Sequence, residues 1–265
     1  MRWLKLLLVV ALNAIPFYGA LYMGWSISTI FALYWIENVL ILAATALRIV
    51  LHRIWTRKCG HWMGYQAYVE NGITYVPPNA NGFLRDYLDL PLKITFVHGV
   101  FVGLLVFGMS QKYPDDSMWH FSLDQFERGA LSMFVVIVTD LLVDASVLRR
   151  RSFGWLKAYA NRRTLRVFIM HVTIIVGMVA AAMVGSALGL LGVLVGLKTL
   201  FDASSAWFGE QPDDLPAQPP AWQLRLLKTA GLDDRKRDEF LRKWHDDCER
   251  QRQLSHRDEQ VMPAT

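Results

Sequence analysis

Residues 129–148, GALSMFVVIVTDLLVDASVL, form a stretch of 20 residues whose only charges are Asp140 and Asp144, and Arg149, Arg150 and Arg151 follow at once. As a helix rising about 1.5 Å per residue, this stretch is long enough for the roughly 30 Å hydrocarbon core of a bilayer. Carboxylates are costly at that depth unless they are paired or useful. Their spacing of four puts both on one helix face. The arginine run marks the cytoplasmic end under the positive-inside rule. The stretch predicts a transmembrane helix that turns an acidic face toward the inside of a bundle.

Five other stretches read the same way: about Leu4 to Tyr22, Trp25 to Leu51, Leu90 to Met109, Leu165 to Met183, and Ala187 to Phe201 or a turn beyond, near Ala206. Mean hydropathy is +0.24 and 53% of residues are hydrophobic, although the last sixty or so are strongly polar. The expected fold class is therefore all-α, a polytopic transmembrane helix bundle of about six spans with a cytoplasmic helical tail. Only Met23 and Gly24 separate the first two spans, and a turn of small residues separates the last two, so both pairs are predicted to be tight hairpins. Arg2 and Lys5 before Leu6–Leu12 imitate a signal peptide. The apolar run continues through Pro16 to Tyr22 without an A-x-A-like cleavage site, which predicts an uncleaved helix kinked at Pro16.

Lys and Arg placement sets the orientation. Arg53, Arg57, Lys58 and Arg85 follow the second span, and Arg149 to Arg151, Lys157, Arg162 and Arg163 follow the fourth. Between the third and fourth, Lys112 and Arg128 are outnumbered by Asp115, Asp116, Asp124 and Glu127. Both termini are predicted to be cytoplasmic. The net charge of +5 divides into +7 over residues 1–207 and −2 over residues 208–265. The basic excess belongs to the membrane part, where its expected partners are membrane lipids, anionic headgroups included, and not nucleic acid. Cys59 and Cys248 both fall on the cytoplasmic side, so no structural disulfide is expected.

The expected organisation is a membrane domain over residues 1–207 with a cytoplasmic loop at 52–89, a Pro-rich linker at 208–220 and a helical tail at 221–265. Glycines and prolines punctuate the loop, including Gly60, Gly64, Pro77, Pro78 and Gly82, and predict little regular structure. Its His52, Cys59 and His61 fall short of a four-ligand zinc pattern. In the tail, Trp222, Leu224, Leu226 and Leu227 suggest a short helix. Phe240, Leu241 and Trp244 mark one face of a second that Asp233 or Asp234 can cap. A solvated tail is the plainer reading; docking on the loops, on the membrane or on a protein partner is the other.

Converting positions to depth, His98, Asp140 and Lys198 lie roughly 12 Å from the cytoplasmic ends of their spans, His171 roughly 9 Å, and Asp144 and Asp202 roughly 6 Å. Glu37, in Tyr34-Trp35-Ile36-Glu37-Asn38, lies nearer the midplane, where burial favours a neutral, hydrogen-bonded carboxyl. Lys198 can pair with Asp202 on its own helix or with a carboxylate of the fourth span. Asp140, His98, His171, Glu37, Asp144, Lys198 and Asp202 are the candidate ligand-binding residues. Each alone is more readily a snorkelling charge or interhelical glue; Asp140, His98 and His171 taken together point to a site.

No motif names a substrate, a cofactor, a metal or a reaction. Membrane di-iron enzymes need more histidines than the two in these spans. An intramembrane serine protease needs a Ser–His pair at matching depth, but Ser110 and Ser186 sit at the outer side and Ser146 at the inner surface. Two histidines at similar depth on different helices could hold a haem.

Tyr34-Trp35-Ile36-Glu37-Asn38-Val39, preceded by Gly24-Trp25, resembles an uncharacterised bacterial membrane-protein family, domain of unknown function 6498. Arg166 with His171, and Lys198 with Asp202, are similar to that family's C-terminal part. The resemblance covers roughly residues 10 to 207. It implies a helical protein of the bacterial inner membrane and supplies no catalytic residue. Three functional classes follow: a protein that binds or transports a proton, ion or small polar ligand at the polar layer; a redox protein or metalloenzyme using the paired histidines; and a structural or assembly protein. Oligomeric state is left open.

Overall fold

A computed structural model of the chain describes residues 2–63, 68–70, 73–75, 82–112, 119–184, 187–208, 219–221, 225, 229 and 234–262. It is helical: α1 (Arg2–Tyr22), α2 (Ile27–Thr56), α3 (Phe83–Lys112), α4 (Leu123–Leu148), α5 (Phe153–Val184), α6 (Ala187–Phe208) and α7 (Asp234–Glu259). Three helices are long and apolar enough to cross a membrane, over Ile27–Thr56, Phe83–Gly108 and Leu123–Leu148; α1 contributes a shorter apolar stretch, Leu6–Tyr22. The starts of α2 and α4 follow local chemistry. Ser26 accepts the Thr29 N–H at 3.1 Å, and Ser122 accepts the Gln125 N–H at 3.4 Å. Arg57, left-handed at φ 50°, stops α2.

The central helix is α2, which packs on α3, α4 and α5. One apolar cluster joins α1, α2 and α4 through Leu12, Leu33, Ile41, Met133 and Ile137. A second joins α2, α3, α4 and α5 through Ile49, Phe83, Leu148, Phe153 and Leu156. On the outside of α3 and α4, Phe96, Leu104, Phe107, Leu131, Phe134 and Leu142 are exposed. A belt of large apolar side chains is what a lipid-facing surface is made of, and water is a poor solvent for it.

The link between α1 and α2 is tight: Gly24 has φ +64°, and the Trp25 N–H donates to the Gly19 carbonyl at 2.9 Å. The Trp25 ring occupies the space beside Gly19, where an added Cβ would come within 2.0 Å of it. Beyond the link the two helices part. The main partners of α1 are α6 and α4, not α2.

Two expectations about the parts outside the apolar stretches change. The segment after the second span is more regular than its glycines and prolines suggested, because helix continues on either side of it, through Thr56 and from Phe83. Among the described residues between them lie a 3-10 turn at Cys59–His61 and an antiparallel pair of strands, β1 (Tyr68–Glu70) with β2 (Ile73–Tyr75), Val69 opposite Thr74. Helical hydrogen bonding does not end where hydropathy ends. The tail, read most plainly as solvated, docks instead. The Cys59 N–H donates to Gln260 O at 2.7 Å, and the Met262 N–H to Arg57 O at 3.0 Å. The Glu259 carboxylate pairs with Lys58 and accepts the backbone N–H groups of Phe153 and Gly154, which open α5. A tail residue thus satisfies orphan donors at the start of a bundle helix. The linker from 209 to 218 and Trp222, Leu224, Leu226 and Leu227 lie outside the described residues. Glu259→Gln should lower the melting temperature of the detergent-solubilised protein modestly, by the loss of about 1 kcal/mol of capping. An unchanged melt would mean that the contact contributes nothing.

Beside this contact, His52 and His61 face each other at 2.7 Å (Nδ1 to Nε2), and His52 Nε2 lies 3.1 Å from the Arg151 carbonyl. A carbonyl only accepts, so His52 donates from Nε2 and accepts the His61 Nε2–H at Nδ1. This tie links α2, the 3-10 turn and the end of α4. Among the described residues, no three His, Cys, Asp or Glu side chains gather as metal ligands. Burial first, then His52, Arg53 and Lys58, push the His61 pKa down to about 3. An unfolded chain binds that proton near pH 6.5, so between these values the unfolded state holds more protons and stability rises with pH. The melting temperature should therefore fall between pH 7 and pH 5, and fall less steeply in His61→Gln.

Candidate functional site

Three helices bring charges together inside the bundle, and a fourth adds an amide. Glu37 comes from α2, Arg166 from α5, and Lys198 and Asp202 from α6, and Asn13 of α1 joins them; all five are buried. Arg166 donates from Nε to Asp202 Oδ1 at 2.6 Å and from Nη2 to Asp202 Oδ2 at 2.9 Å, and its Nη2 also reaches Glu37 Oε1. The planar guanidinium fork suits this two-point grip on a carboxylate. Lys198 Nζ lies 3.0 Å from Glu37 Oε1 and 3.1 Å from Asp202 Oδ2, and donates to Asn13 Oδ1. The Asn13 amide returns a hydrogen bond to Asp202 Oδ2 at 3.2 Å. Lys198 and Asp202 share a face because they are four apart on α6. Two cations and two carboxylates make the group neutral, which is what lets it persist away from water.

A second group lies along α2 toward its C-terminal end. Arg48, eleven residues and about three helical turns after Glu37, is on the same face. Its Nη2 donates to Asp140 Oδ2 at 2.7 Å and its Nε to Asp144 Oδ2 at 3.0 Å. Arg163 Nη2 stands 3.8 Å from Asp140 Oδ2. The Tyr159 ring lies beneath both guanidinium groups, 5.3 Å from Arg48 and 4.9 Å from Arg163. Arg163 and Arg166 are one turn apart on α5, so this helix supplies a cation to each group.

The structure therefore distributes the candidate residues over more than one place. Glu37, Lys198 and Asp202 meet directly, and Asp140 and Asp144 meet each other through Arg48. Lys198 pairs with Asp202, one of its two expected choices, and with Glu37 of the second span instead of a carboxylate of the fourth. Glu37, expected to be a neutral carboxyl, has two cations on Oε1. His98 is buried on α3, one turn after Thr95, whose carbonyl accepts the Trp35 indole N–H at 3.1 Å. The side chain of His171 lies outside the described residues. Arg48 and Asn13 escaped the reading of the polar layer, and Arg166 entered only through the family resemblance. The sequence signals for the arginines were the three-turn interval from Glu37 to Arg48 and the three-residue interval from Arg163 to Arg166.

Around the Glu37 group, four buried polar atoms have no hydrogen-bond partner among the described residues: Tyr34 Oη, Glu37 Oε2, Asn38 Nδ2 and Arg166 Nη1. The Tyr34 ring lies 5.6 Å from Lys198 Nζ. Each unsatisfied group costs roughly 1–3 kcal/mol. A cluster serving only as glue has no use for such orphans, whereas a ligand or ordered water would satisfy them.

No curated protein and no solved structure matches the chain. A family pattern does match, over residues 1–220, a range that takes in α1 to α6 and all of the charged residues described in this site. On that match the chain belongs to the family of unknown function DUF6498.

Proposed function

We propose that this protein is a multi-pass membrane protein of the bacterial inner membrane, with six spans and cytoplasmic termini, that binds or transports a small polar ligand at the Glu37–Arg166–Lys198–Asp202 group. The observation that carries the reading is the set of buried polar atoms that lack a partner among the described residues, at a charge-paired group inside an apolar bundle. Intramembrane ionisable groups most often mark ligand and ion pathways. The charge-neutral pairing keeps the site tolerable when empty. The Arg48–Asp140–Asp144 group, with Asp140 partly exposed, lies on the cytoplasmic side of it in this orientation.

Two experiments test the proposal. Topology reporters fused after Cys59, after Tyr159 and at Thr265 should report cytoplasm, and one near Ser117 the opposite side. A cytoplasmic fusion found outside would break the six-span arrangement. For the site, small neutral, zwitterionic, cationic and anionic compounds are screened by thermal shift against the full chain in detergent. At least one should stabilise the wild type and lose its effect in Arg166→Lys, which keeps the charge and loses the fork. Stabilisation by none of them, or undiminished stabilisation in Arg166→Lys, would count against the site.

A further inference from the structure

Which chemistry the site takes, and with what, follows from its unused valences and its charge. Of the four buried atoms without a partner among the described residues, Arg166 Nη1 and Asn38 Nδ2 can only donate, and Tyr34 Oη can donate. The three donors of Lys198 are engaged by Glu37, Asp202 and Asn13, and the one on Glu37 is released if the lysine turns away from that carboxylate. The remaining atom, Glu37 Oε2, can only accept while the carboxylate is ionised. These unsatisfied atoms are mostly donors and suit a ligand made of acceptors, a small anion. An anion entering alone would leave this neutral group with an unbalanced negative charge in a low-dielectric interior, which is the arrangement that buried charges avoid.

A proton restores the balance, and the geometry says where it goes. Asp202 has both oxygens occupied, by Arg166 on Oδ1 and by Arg166, Lys198 and Asn13 on Oδ2. Glu37 holds its two cations on Oε1, and its Oε2 has no partner among the described residues. We propose that the site binds a small monovalent anion together with one proton, the proton coming from solvent and residing on Glu37 Oε2, while Arg166 and Lys198 turn from Glu37 to the anion. The proposal rests on the ligand-binding reading given above. Proton and anion enter together, so the net charge of the group is unchanged. The other groups facing α2 are Asn13 of α1, His98 of α3, Asp140 and Asp144 of α4, Arg163 of α5 and Asp202 of α6. The two α4 carboxylates are held by Arg48, and Asp202 stays paired with Arg166 and Lys198.

The test uses the full-length protein in detergent, with chloride, nitrate and acetate as probes and gluconate as the ionic-strength control. Calorimetric titration at one pH in two buffers of different ionisation enthalpy reads the protons taken up per anion. At least one probe should bind with uptake of about one proton, and its affinity should weaken roughly tenfold per rising pH unit wherever the uptake is one proton. Glu37→Gln, which imitates the protonated acid, should bind the same anion with no proton uptake and no pH dependence. Should Glu37→Gln not fold, the wild-type proton count decides alone. Binding without proton uptake would overturn the coupling and leave an anion site. Binding of none of the three probes would overturn the inference, while stabilisation by a neutral or zwitterionic compound in the thermal-shift screen would still uphold the ligand-binding reading beneath it.

Discussion

Arg166→Met is expected to lower the melting temperature more than any other single substitution described for this protein. The substitution keeps much of the side-chain length, yet it leaves Glu37 and Asp202, both buried, facing Lys198 as their one remaining partner from α5 and α6. Removing one partner of a buried ion pair costs about 3–5 kcal/mol, because the other charge is stranded without water. A domain is stable by only about 5–15 kcal/mol in all. That loss is a large share of the margin, so the melting temperature in detergent should fall far below that of the wild type. Arg166→Lys keeps a charge but cannot grip Asp202 at two points, so it should fold with a lowered melting temperature. An Arg166→Met protein that melts with the wild type would mean that these ion pairs are not formed in the membrane protein.

The second large effect is expected at Arg48. Asp144 is 1% exposed and Asp140 is 21% exposed, and one guanidinium holds both. In Arg48→Met two carboxylates four residues apart on α4 would repel one another, with Arg163 at 3.8 Å the nearest remaining cation. The expected loss is about 3 kcal/mol. Replacing both carboxylates in the same chain, Arg48→Met with Asp140→Asn and Asp144→Asn, takes away the stranded charges and should recover much of the melting temperature. A triple variant no more stable than Arg48→Met would show that the cost came from packing of the arginine stem.

The apolar runs made the helical class legible, since a segment such as 129–148 has no other way to satisfy its backbone in lipid. Six helices, α1 to α6, coincide with the six stretches read as spans, and three of them meet the length and hydropathy of a membrane crossing over the described residues. Helix ends were less legible. α2, α3 and α5 each run past the hydrophobic limit, because Arg53, Asp86 or Lys157 can sit on a helix outside lipid as well as in a loop. The site was half legible. Asp140 with Asp144 and Lys198 with Asp202 showed themselves by their spacing of four, which is local. Arg48 and Arg166 lie near the ends of apolar stretches, where a long basic side chain ordinarily snorkels to the headgroups. Only the folded arrangement turns them inward. Depth along separate helices could not say which of the acids and bases would meet, because depth carries no information about the rotation of each helix about its axis. Asn13 is uncharged and one polar residue among many, and nothing in its neighbourhood tied it to Lys198, 185 positions away.

A double-mutant cycle on Glu37 and Arg166 tests most directly whether charges from separate helices meet in one buried group. Melting of the wild type, Glu37→Gln, Arg166→Gln and the double variant would be followed in the same detergent. The structure predicts strong coupling: the double variant should be less impaired than the two single losses added together, by more than about 1 kcal/mol, because each single change strands a partner that the double change removes. Losses that add within about 0.5 kcal/mol would mean that the two side chains do not touch, and would contradict the site.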